Sequence, residues 1–212
     1  TRSILEVLSE FNHPVAIVTK SALVIRDLDI LGSMAKRGLA QVCLSVTTMD
    51  RRLANKLEPR ATTPDKRVET LRSLAAAGIP TGIMAAPMIP ALNDQELEEI
   101  LTVGRKAGAQ FASYILLRLP LEIKDLFTDW LKTHFPQKAQ HVMNLIHSTR
   151  SGKAYDSTFG SRMTGTGQYA ALLEKRFEVA SRRLGYDQVE RLELNTKKFM
   201  PPLARDGQLA LF

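Results

Sequence analysis

Short apolar runs alternate along the first 120 residues with longer segments whose apolar positions recur at helical spacing. The runs predict four strands: Val15 to Thr19, Gln41 to Thr47, one inside Gly78 to Asp94, and Tyr114 to Leu117. The helical pattern predicts helices over Arg2 to Phe11, Asp27 to Arg37, Thr63 to Gly78, and Asn93 to Gly108. Strands that alternate with helices are typical of an α/β fold with a parallel sheet and right-handed crossovers.

Local signals at the predicted helix ends support this pattern. Thr63, Pro64 and Asp65 supply an N-cap, a proline at the first helical position and an early acid. Asn93 with Glu96 three residues later predicts a capping box. Glycine follows each of the predicted helices that end at 37, 77 and 107, as expected of a left-handed stop.

After Pro120 the pattern becomes helical without strands. It predicts helices over Asp125 to Phe135 and Gln137 to Ile146, with a hinge at Pro136. A basic loop rich in Gly, Ser and Thr follows over 150–167, and Thr166 caps a long amphipathic helix that ends before Gly185. The predicted apolar face of this helix consists of Tyr169, Leu172, Leu173, Phe177, Ala180 and Leu184. We therefore divide the chain into a barrel-like part, 1–120, a helical extension, 121–185, and a tail, 186–212.

Polar residues stand where the predicted strands end. They are Lys20 and Ser21 after the first strand, Ser45 and Thr47 on the second, Ala86 before Pro87 on the third, and Arg118 after the fourth. Because the carboxyl ends of parallel strands meet at one mouth, these positions predict a ligand site there. In the alternative interpretation, the hydroxyls satisfy local backbone groups and Lys20 extends into solvent.

Composition narrows the function classes. A net charge of +7 and a pI near 9.7 permit a polyanionic partner such as DNA without requiring one. The single cysteine, Cys43, excludes an internal disulfide framework and predicts a small buried side chain within a strand. No apolar run is long enough for a membrane helix, so we expect a cytoplasmic protein. The histidines are spaced unlike paired metal ligands, so no metal site is predicted.

Four segments together resemble radical S-adenosylmethionine (radical SAM) enzymes. They are VAIVTKSALVIRDLDIL, VCLSVTTMD, LEPRATTPDKRVETLRSLAAAGIPTGIMAAPMIPALND and YILLRLP, and the later run RSGKAYDSTFGSRMTGTG extends the likeness. The group most similar is related to spore photoproduct lyase and labelled DNA repair photolyase-like. The resemblance implies a partial parallel (β/α) barrel, of which this sequence supplies about four of six strands.

The resemblance also implies a cofactor site. A strand-end lysine and serine contact S-adenosylmethionine in this family, which points to Lys20 and Ser45, and a backbone contact to adenine before a proline corresponds to Ala86. Thr47 is added from its position on the same strand face. The family also holds a four-iron, four-sulfur (4Fe-4S) cluster through CxxxCxxC, and this sequence has no such motif. We therefore expect a fragment, inactive alone, of a longer protein whose upstream part carries the cluster.

Four basic residues are candidates for contact with a substrate phosphate: Arg118, Arg150, Lys153 and Arg162. An ordinary basic surface is the alternative. The terminal QLALF, with Gln208, Leu209, Leu211 and Phe212, is similar to peptides that bind the bacterial DNA sliding clamp. An apolar terminus folded back on the body is the alternative for this segment.

Three functions follow as hypotheses. The first is a radical SAM lyase that cleaves S-adenosylmethionine reductively to a 5′-deoxyadenosyl radical and acts on damaged DNA. The second is a non-catalytic domain that binds nucleic acid or the clamp. The third is a radical SAM enzyme with a substrate other than DNA.

Overall fold

The computed structural model describes residues 1–188 and 193–202, and its centre is one sheet of four parallel strands. The strands lie side by side in chain order: β1 (Val15–Thr19), β2 (Ala40–Val46), β3 (Thr81–Met88) and β4 (Phe111–Leu116). Within the described residues, eight α-helices accompany them: α1 (Arg2–Glu10), α2 (Leu28–Lys36), α3 (Arg51–Leu57), α4 (Pro64–Ala76), α5 (Leu97–Lys106), α6 (Ile123–His134), α7 (Pro136–Ser148) and α8 (Gly167–Leu184). The predicted α/β fold with four strands is confirmed, and the arrangement is a partial barrel.

Alternation along β2 explains how the sheet is covered. Val42, Leu44 and Val46 are fully buried in the main core with residues of the flanking helices, as the apolar half of the pattern predicts. Ser45 lies on the opposite face and is also buried. Parallel pairing in register, with Val42 opposite Thr81 and Ile83 opposite Ala112, brings the carboxyl ends of the strands to one edge.

The helical extension flanks that edge through a second apolar cluster. Phe127 and Leu131 of α6 join Val142 and Ile146 of α7 in a cluster that also contains Ile89 and Leu119, which follow β3 and β4. The indole of Trp130 donates to the carbonyl oxygen of Lys56 at 3.0 Å. The extension therefore packs beside the strand ends, and the predicted hinge between α6 and α7 at Pro136 is confirmed.

Helix α8 packs against α5 with a narrower apolar face than predicted. Leu173 and Ala180 are buried, whereas Leu172, which the pattern placed on the same face, is 56% exposed. The predicted tail begins with residues that contact the body: Tyr186 is buried and its hydroxyl donates to the carbonyl oxygen of Leu101 at 2.8 Å. Met200 N donates to Phe11 O at 2.9 Å. The QLALF residues lie outside the described ranges.

The capping box predicted at Asn93 and Glu96 is wrong. Asn93 is fully buried, and although it precedes a short 3₁₀ turn, Asp94–Glu96, its side chain makes no capping hydrogen bond there. The carboxylate of Glu96 accepts from the Thr48 hydroxyl and the Met49 backbone instead. Both side chains connect distant loops, because tertiary partners compete successfully with the local cap. Helix α3, which begins at the Asp50 cap, was not predicted.

No helix within residues 1–188 and 193–202 has the length and apolar character needed to cross a bilayer.

Candidate ligand site at the strand ends

A cavity of about 330 Å³ opens at the carboxyl edge of the sheet. Three polar side chains reach it from three strands, and all three were predicted: Lys20, Ser45 and Arg118. Apolar groups and the backbone of Ala86 form the remaining wall; the full lining is Lys20, Ser45, Met84, Ala86, Pro87, Ile115, Leu116, Leu117 and Arg118. The sheet thus brings together residues separated by up to 98 positions in the chain.

Two hydroxyls converge on one backbone oxygen in this wall. Ser45 Oγ lies 3.1 Å and Thr47 Oγ1 3.0 Å from the carbonyl oxygen of Ala86, so both can donate to it. The hydroxyl of Thr47 has a single hydrogen, so it can donate to this oxygen or to another acceptor but not to both. When Ser45 and Thr47 both donate to it, they fill the two lone pairs of the oxygen, and a ligand that hydrogen-bonds there takes the place of one of them.

Asn93 fixes the spacing of the two central strands at the mouth. Its amide nitrogen donates to Thr47 O at 2.5 Å and to Pro87 O at 2.9 Å. Its side-chain oxygen accepts from Ile89 N at 2.6 Å. Because the side chain is buried and all its bonds are to backbone, it holds the backbone of Thr47 beside that of Pro87.

A carboxylate that the sequence analysis missed organises the β1 and β2 side of the cavity. Glu58, directly after α3, accepts from the ammonium of Lys20 and, at 3.0 Å, from the hydroxyl of Thr47. Its second oxygen accepts from Arg67 Nη2 at 2.6 Å. Arg67 is only 1% exposed and also donates to Ser45 O at 3.0 Å and Thr62 O at 2.7 Å.

Burial alone would raise the pKa of Glu58, but the hydrogen bonds from Lys20 and Arg67 outweigh it and lower that pKa. The carboxylate therefore stays ionised at neutral pH between two cations. The three formal charges sum to +1, so this side of the cavity retains a positive charge for an anionic ligand.

The opposite side of the cavity is also positive. Arg118 donates to the hydroxyl of Tyr155 at 2.9 Å and approaches the sulfur of Met163, and among the described residues no carboxylate pairs with it. Its Nε is buried and lacks a hydrogen-bond partner within that part of the chain. An anionic group in the cavity would complete the hydrogen bonding of this guanidinium.

Arg150 does not fit the predicted role of a surface phosphate contact. It is 1% exposed, and its guanidinium donates to four carbonyl oxygens, those of Leu116, Leu117, Ser161 and Arg162. Burial and the charge of Arg118 lower its pKa. The side chain thus clamps the 150–167 loop onto the end of β4.

Lys153 and Arg162 lie in this loop, whose Tyr155 and Met163 contact Arg118. Lys153 is exposed, and the guanidinium of Arg162 lies 5.3 Å from the ring centre of Phe159, which is 88% exposed. Met163 O accepts from Leu116 N at 2.8 Å, so the loop borders the cavity wall. The predicted basic residues other than Arg150 are therefore available to a ligand.

The donor set suits S-adenosylmethionine and does not suit an iron–sulfur cluster. The cofactor has one carboxylate, which can accept from Lys20 or from Arg118, and its ribose hydroxyls and adenine offer hydrogen-bonding partners to Ser45 and to the backbone of Ala86. Cys43 is the sole cysteine of the sequence, it is buried within β2, and burial raises its pKa to about 12. No group of potential metal ligands exists among the described residues.

Sequence comparison finds a family match over part of the chain. Residues 2–103 match the model of the Radical SAM superfamily. Over 144 residues the chain is 29% identical to an uncharacterised protein of Mycobacterium tuberculosis (strain ATCC 25618 / H37Rv), which covers 67% of this chain and 42% of that protein. It is 36% identical over 90 residues to an uncharacterised protein of Acidianus two-tailed virus, which covers 42% of this chain and 29% of the viral protein.

Solved structures give the fold. A tyrosine-to-phenylalanine variant of spore photoproduct lyase matches with a TM-score of 0.60 and 18% identity over 87% of this chain and 53% of that chain. Spore photoproduct lyase complexed with dinucleoside spore photoproduct matches with a TM-score of 0.57 and 19% identity over 90% and 54%. The chain spans less than half the length of the M. tuberculosis relative and about half of the lyase. The chain is therefore similar in sequence to the radical SAM superfamily over residues 2–103 and has the fold of the corresponding half of spore photoproduct lyase.

Proposed function

We propose that the cavity at the strand ends binds S-adenosylmethionine as part of a radical SAM enzyme. The observation that carries the proposal is the convergence of Lys20, Ser45 and Ala86 on one open cavity. Lys20 binds the carboxylate of the cofactor, Ser45 binds a hydroxyl or base edge, and the backbone of Ala86 receives adenine. Thr47, predicted from the same strand face, is buried behind the cavity wall and supports the site through its hydrogen bonds to Ala86 and Glu58. The chemistry that the cofactor supplies in this superfamily is reductive cleavage at its sulfonium centre.

These 212 residues supply no ligand set for a 4Fe-4S cluster, so no redox step is assigned to them. The cluster would have to be held by residues outside this sequence. The length of the relatives supports this part of the proposal, because the matched region covers less than half of the mycobacterial protein.

Calorimetry with S-adenosylhomocysteine, a non-reactive analogue, tests cofactor binding in the purified protein. Lys20→Met should weaken binding about tenfold or more, because the ligand carboxylate loses a charged partner, worth about 1.4 kcal/mol per tenfold change. Lys36→Met is the matched control, since Lys36 is an exposed lysine at the C-terminal end of α2, away from the cavity. Equal binding by the Lys20 and Lys36 variants would contradict the proposed site.

DNA is the proposed substrate class. It is supported by the net charge of +7, by the basic loop residues beside the cavity, and by the exposed Phe159 under Arg162, an arrangement suited to stacking of an unpaired base. The likeness to a lyase complexed with a dinucleoside photoproduct points the same way.

Binding to an ultraviolet-damaged duplex over a salt series tests this proposal. Lys153→Ala and Arg162→Ala should each lower the slope of log affinity against log salt by about 1, since each removes one phosphate contact. Lys132→Ala is the matched control because Lys132 is an exposed lysine on α6. If damaged and undamaged duplexes bind alike at every salt concentration, a substrate other than DNA becomes the better proposal.

The terminal QLALF is proposed as a peptide for the bacterial sliding clamp. The proposal rests on the residues of the segment, in which Gln208 supplies a polar edge and Leu211 and Phe212 supply apolar anchors. Removal of residues 208–212 should abolish capture by immobilised clamp, and the QLAAA variant, which keeps the length, should do the same. Unchanged capture by either variant would refute the assignment.

A further inference from the structure

We infer that Glu58 is a positioning residue that holds the ammonium of Lys20 against the cavity wall, where it meets the carboxylate of the cofactor. The inference rests on the proposed binding of S-adenosylmethionine. It adds to that proposal a residue which contacts no ligand itself and acts through Lys20.

The charge of Glu58 separates two cations. Arg67 is 1% exposed and bonded to the backbone of Ser45 and Thr62, so its positive charge is fixed behind the wall. An arginine does not lose its proton inside a protein. Without the carboxylate of Glu58 between them, Arg67 would repel Lys20, whose side chain is 36% exposed and free to turn toward water.

Glu58 also orients the ammonium of Lys20. A lysine ammonium has three hydrogens on a flexible four-carbon stem, and fixing such a side chain costs up to about 2 kcal/mol of conformational entropy. Glu58 accepts one hydrogen and leaves two for a ligand on the cavity side. The entropy cost is therefore met before the ligand arrives, which is preorganisation.

Thr47 has one hydroxyl hydrogen and two acceptors at 3.0 Å, Glu58 Oε1 and Ala86 O. When adenine takes the Ala86 oxygen, the hydroxyl of Thr47 turns to Glu58 and stays bonded. Glu58 thereby allows the adenine end to bind without leaving a buried hydroxyl unpaired. A glutamine at this position keeps that acceptor oxygen but loses the charge that holds Lys20.

The experiment compares two probes by calorimetry: S-adenosylhomocysteine, which carries the carboxylate, and 5′-methylthioadenosine, which lacks the amino-acid end. Glu58→Gln should weaken the first about tenfold and change the second less than twofold. Lys20→Met should lose little further affinity in the Glu58→Gln background, because both act on one interaction. Glu69→Gln is the matched control, since this exposed glutamate pairs with a lysine on α4.

Each result has one meaning. Tighter or unchanged binding of S-adenosylhomocysteine by Glu58→Gln overturns the inference and leaves the proposed function standing. Equal weakening of both probes also overturns it, because that result marks a general structural defect. Binding of neither probe by the wild-type protein removes the proposed function and the inference together. Should Glu58→Gln not fold, Glu58→Asp keeps the charge on a shorter stem and should weaken S-adenosylhomocysteine alone.

Discussion

Two buried arginines, Arg67 and Arg150, perform the same task at the two ends of the cavity wall with different partners. Each is 1% exposed and each binds backbone carbonyls where a strand ends, β2 for Arg67 and β4 for Arg150. Arg67 also has a carboxylate, Glu58, whereas the guanidinium of Arg150 donates to carbonyls alone. The first arginine therefore belongs to a charged network that reaches the cavity through Lys20; the second is a clamp for a loop.

The two buried guanidinium groups have different effects on the cavity because their partners differ in charge. A buried cation with a carboxylate partner is costly to break, because the loss of one partner leaves the other uncompensated. A buried cation that binds only carbonyl oxygens orders the backbone, but because these partners are neutral it is not linked through a carboxylate to a side chain in the cavity. We therefore expect the β1 and β2 side of the cavity to recognise a ligand carboxylate and the β4 side to depend on the loop it holds.

The largest expected effect comes from Arg67→Ala. It should lower the free energy of unfolding by about 3 to 5 kcal/mol, since it leaves Glu58 partly buried without one of its two cationic partners and removes the donor of two backbone carbonyls. Urea denaturation measures the change. Lys66→Ala removes an exposed ion pair on the same helix and should cost less than about 1 kcal/mol. If Arg67→Ala and Lys66→Ala have equal free energies of unfolding, the charged network of Lys20, Glu58 and Arg67 does not stabilise the fold.

Arg150→Ala should cost about 2 to 3 kcal/mol, because several buried carbonyl oxygens lose their donor. It should also speed limited proteolysis within 151–166, while cleavage elsewhere stays slow. Lys153→Ala, in the same loop but exposed, is the control. If Arg150→Ala weakens binding of S-adenosylhomocysteine as much as Lys20→Met does, Arg150 acts on the cofactor. That result would contradict its assignment as a clamp for the loop alone.

Tyr169→Phe, compared with Tyr186→Phe, tests whether a hydrogen bond to a carboxylate stabilises the fold more than one to a carbonyl, away from the cavity wall. Its hydroxyl donates to the carboxylate of Asp94 and accepts from Ala91 N, which joins α8 to the loop after β3. The loss should be about 1.5 to 2 kcal/mol. Tyr186→Phe removes a bond to the carbonyl of Leu101 and should cost about 1 kcal/mol. A reversed order in thermal denaturation would contradict the greater strength assigned to the charged acceptor.

The smallest expected effect is a change in pH dependence. The pKa of Glu58 is lower in the folded protein, so its contribution is complete above the ordinary value of 4.5 and is lost as pH falls through the lowered value. The difference in unfolding free energy between wild type and Glu58→Gln should therefore shrink from pH 6 toward pH 3. Glu69→Gln, on the exposed face, should show a smaller change. A constant difference for Glu58→Gln would contradict the assigned pKa direction.

The pattern of apolar and polar residues was enough to predict the fold class and the polar side chains that line the cavity. Strand β1 was predicted residue for residue, and the alternation along β2 placed Val42 under the helices and Ser45 at the ligand face. Such periodicity reports which face of an element is buried, and that is a local property. Position at the carboxyl end of a parallel strand was then enough to bring Lys20, Ala86 and Arg118 together.

Only the tertiary structure decided which polar groups are partners. Glu58 stood in a polar stretch with no periodic signal, yet it binds Lys20, 38 positions earlier in the chain. Asn93 and Glu96 satisfied a capping pattern and were used instead across 46 to 48 positions. Arg150 resembled a surface cation and is buried. Hydrogen bonds depend on distances between segments that the chain order does not encode locally, so these assignments required the folded molecule.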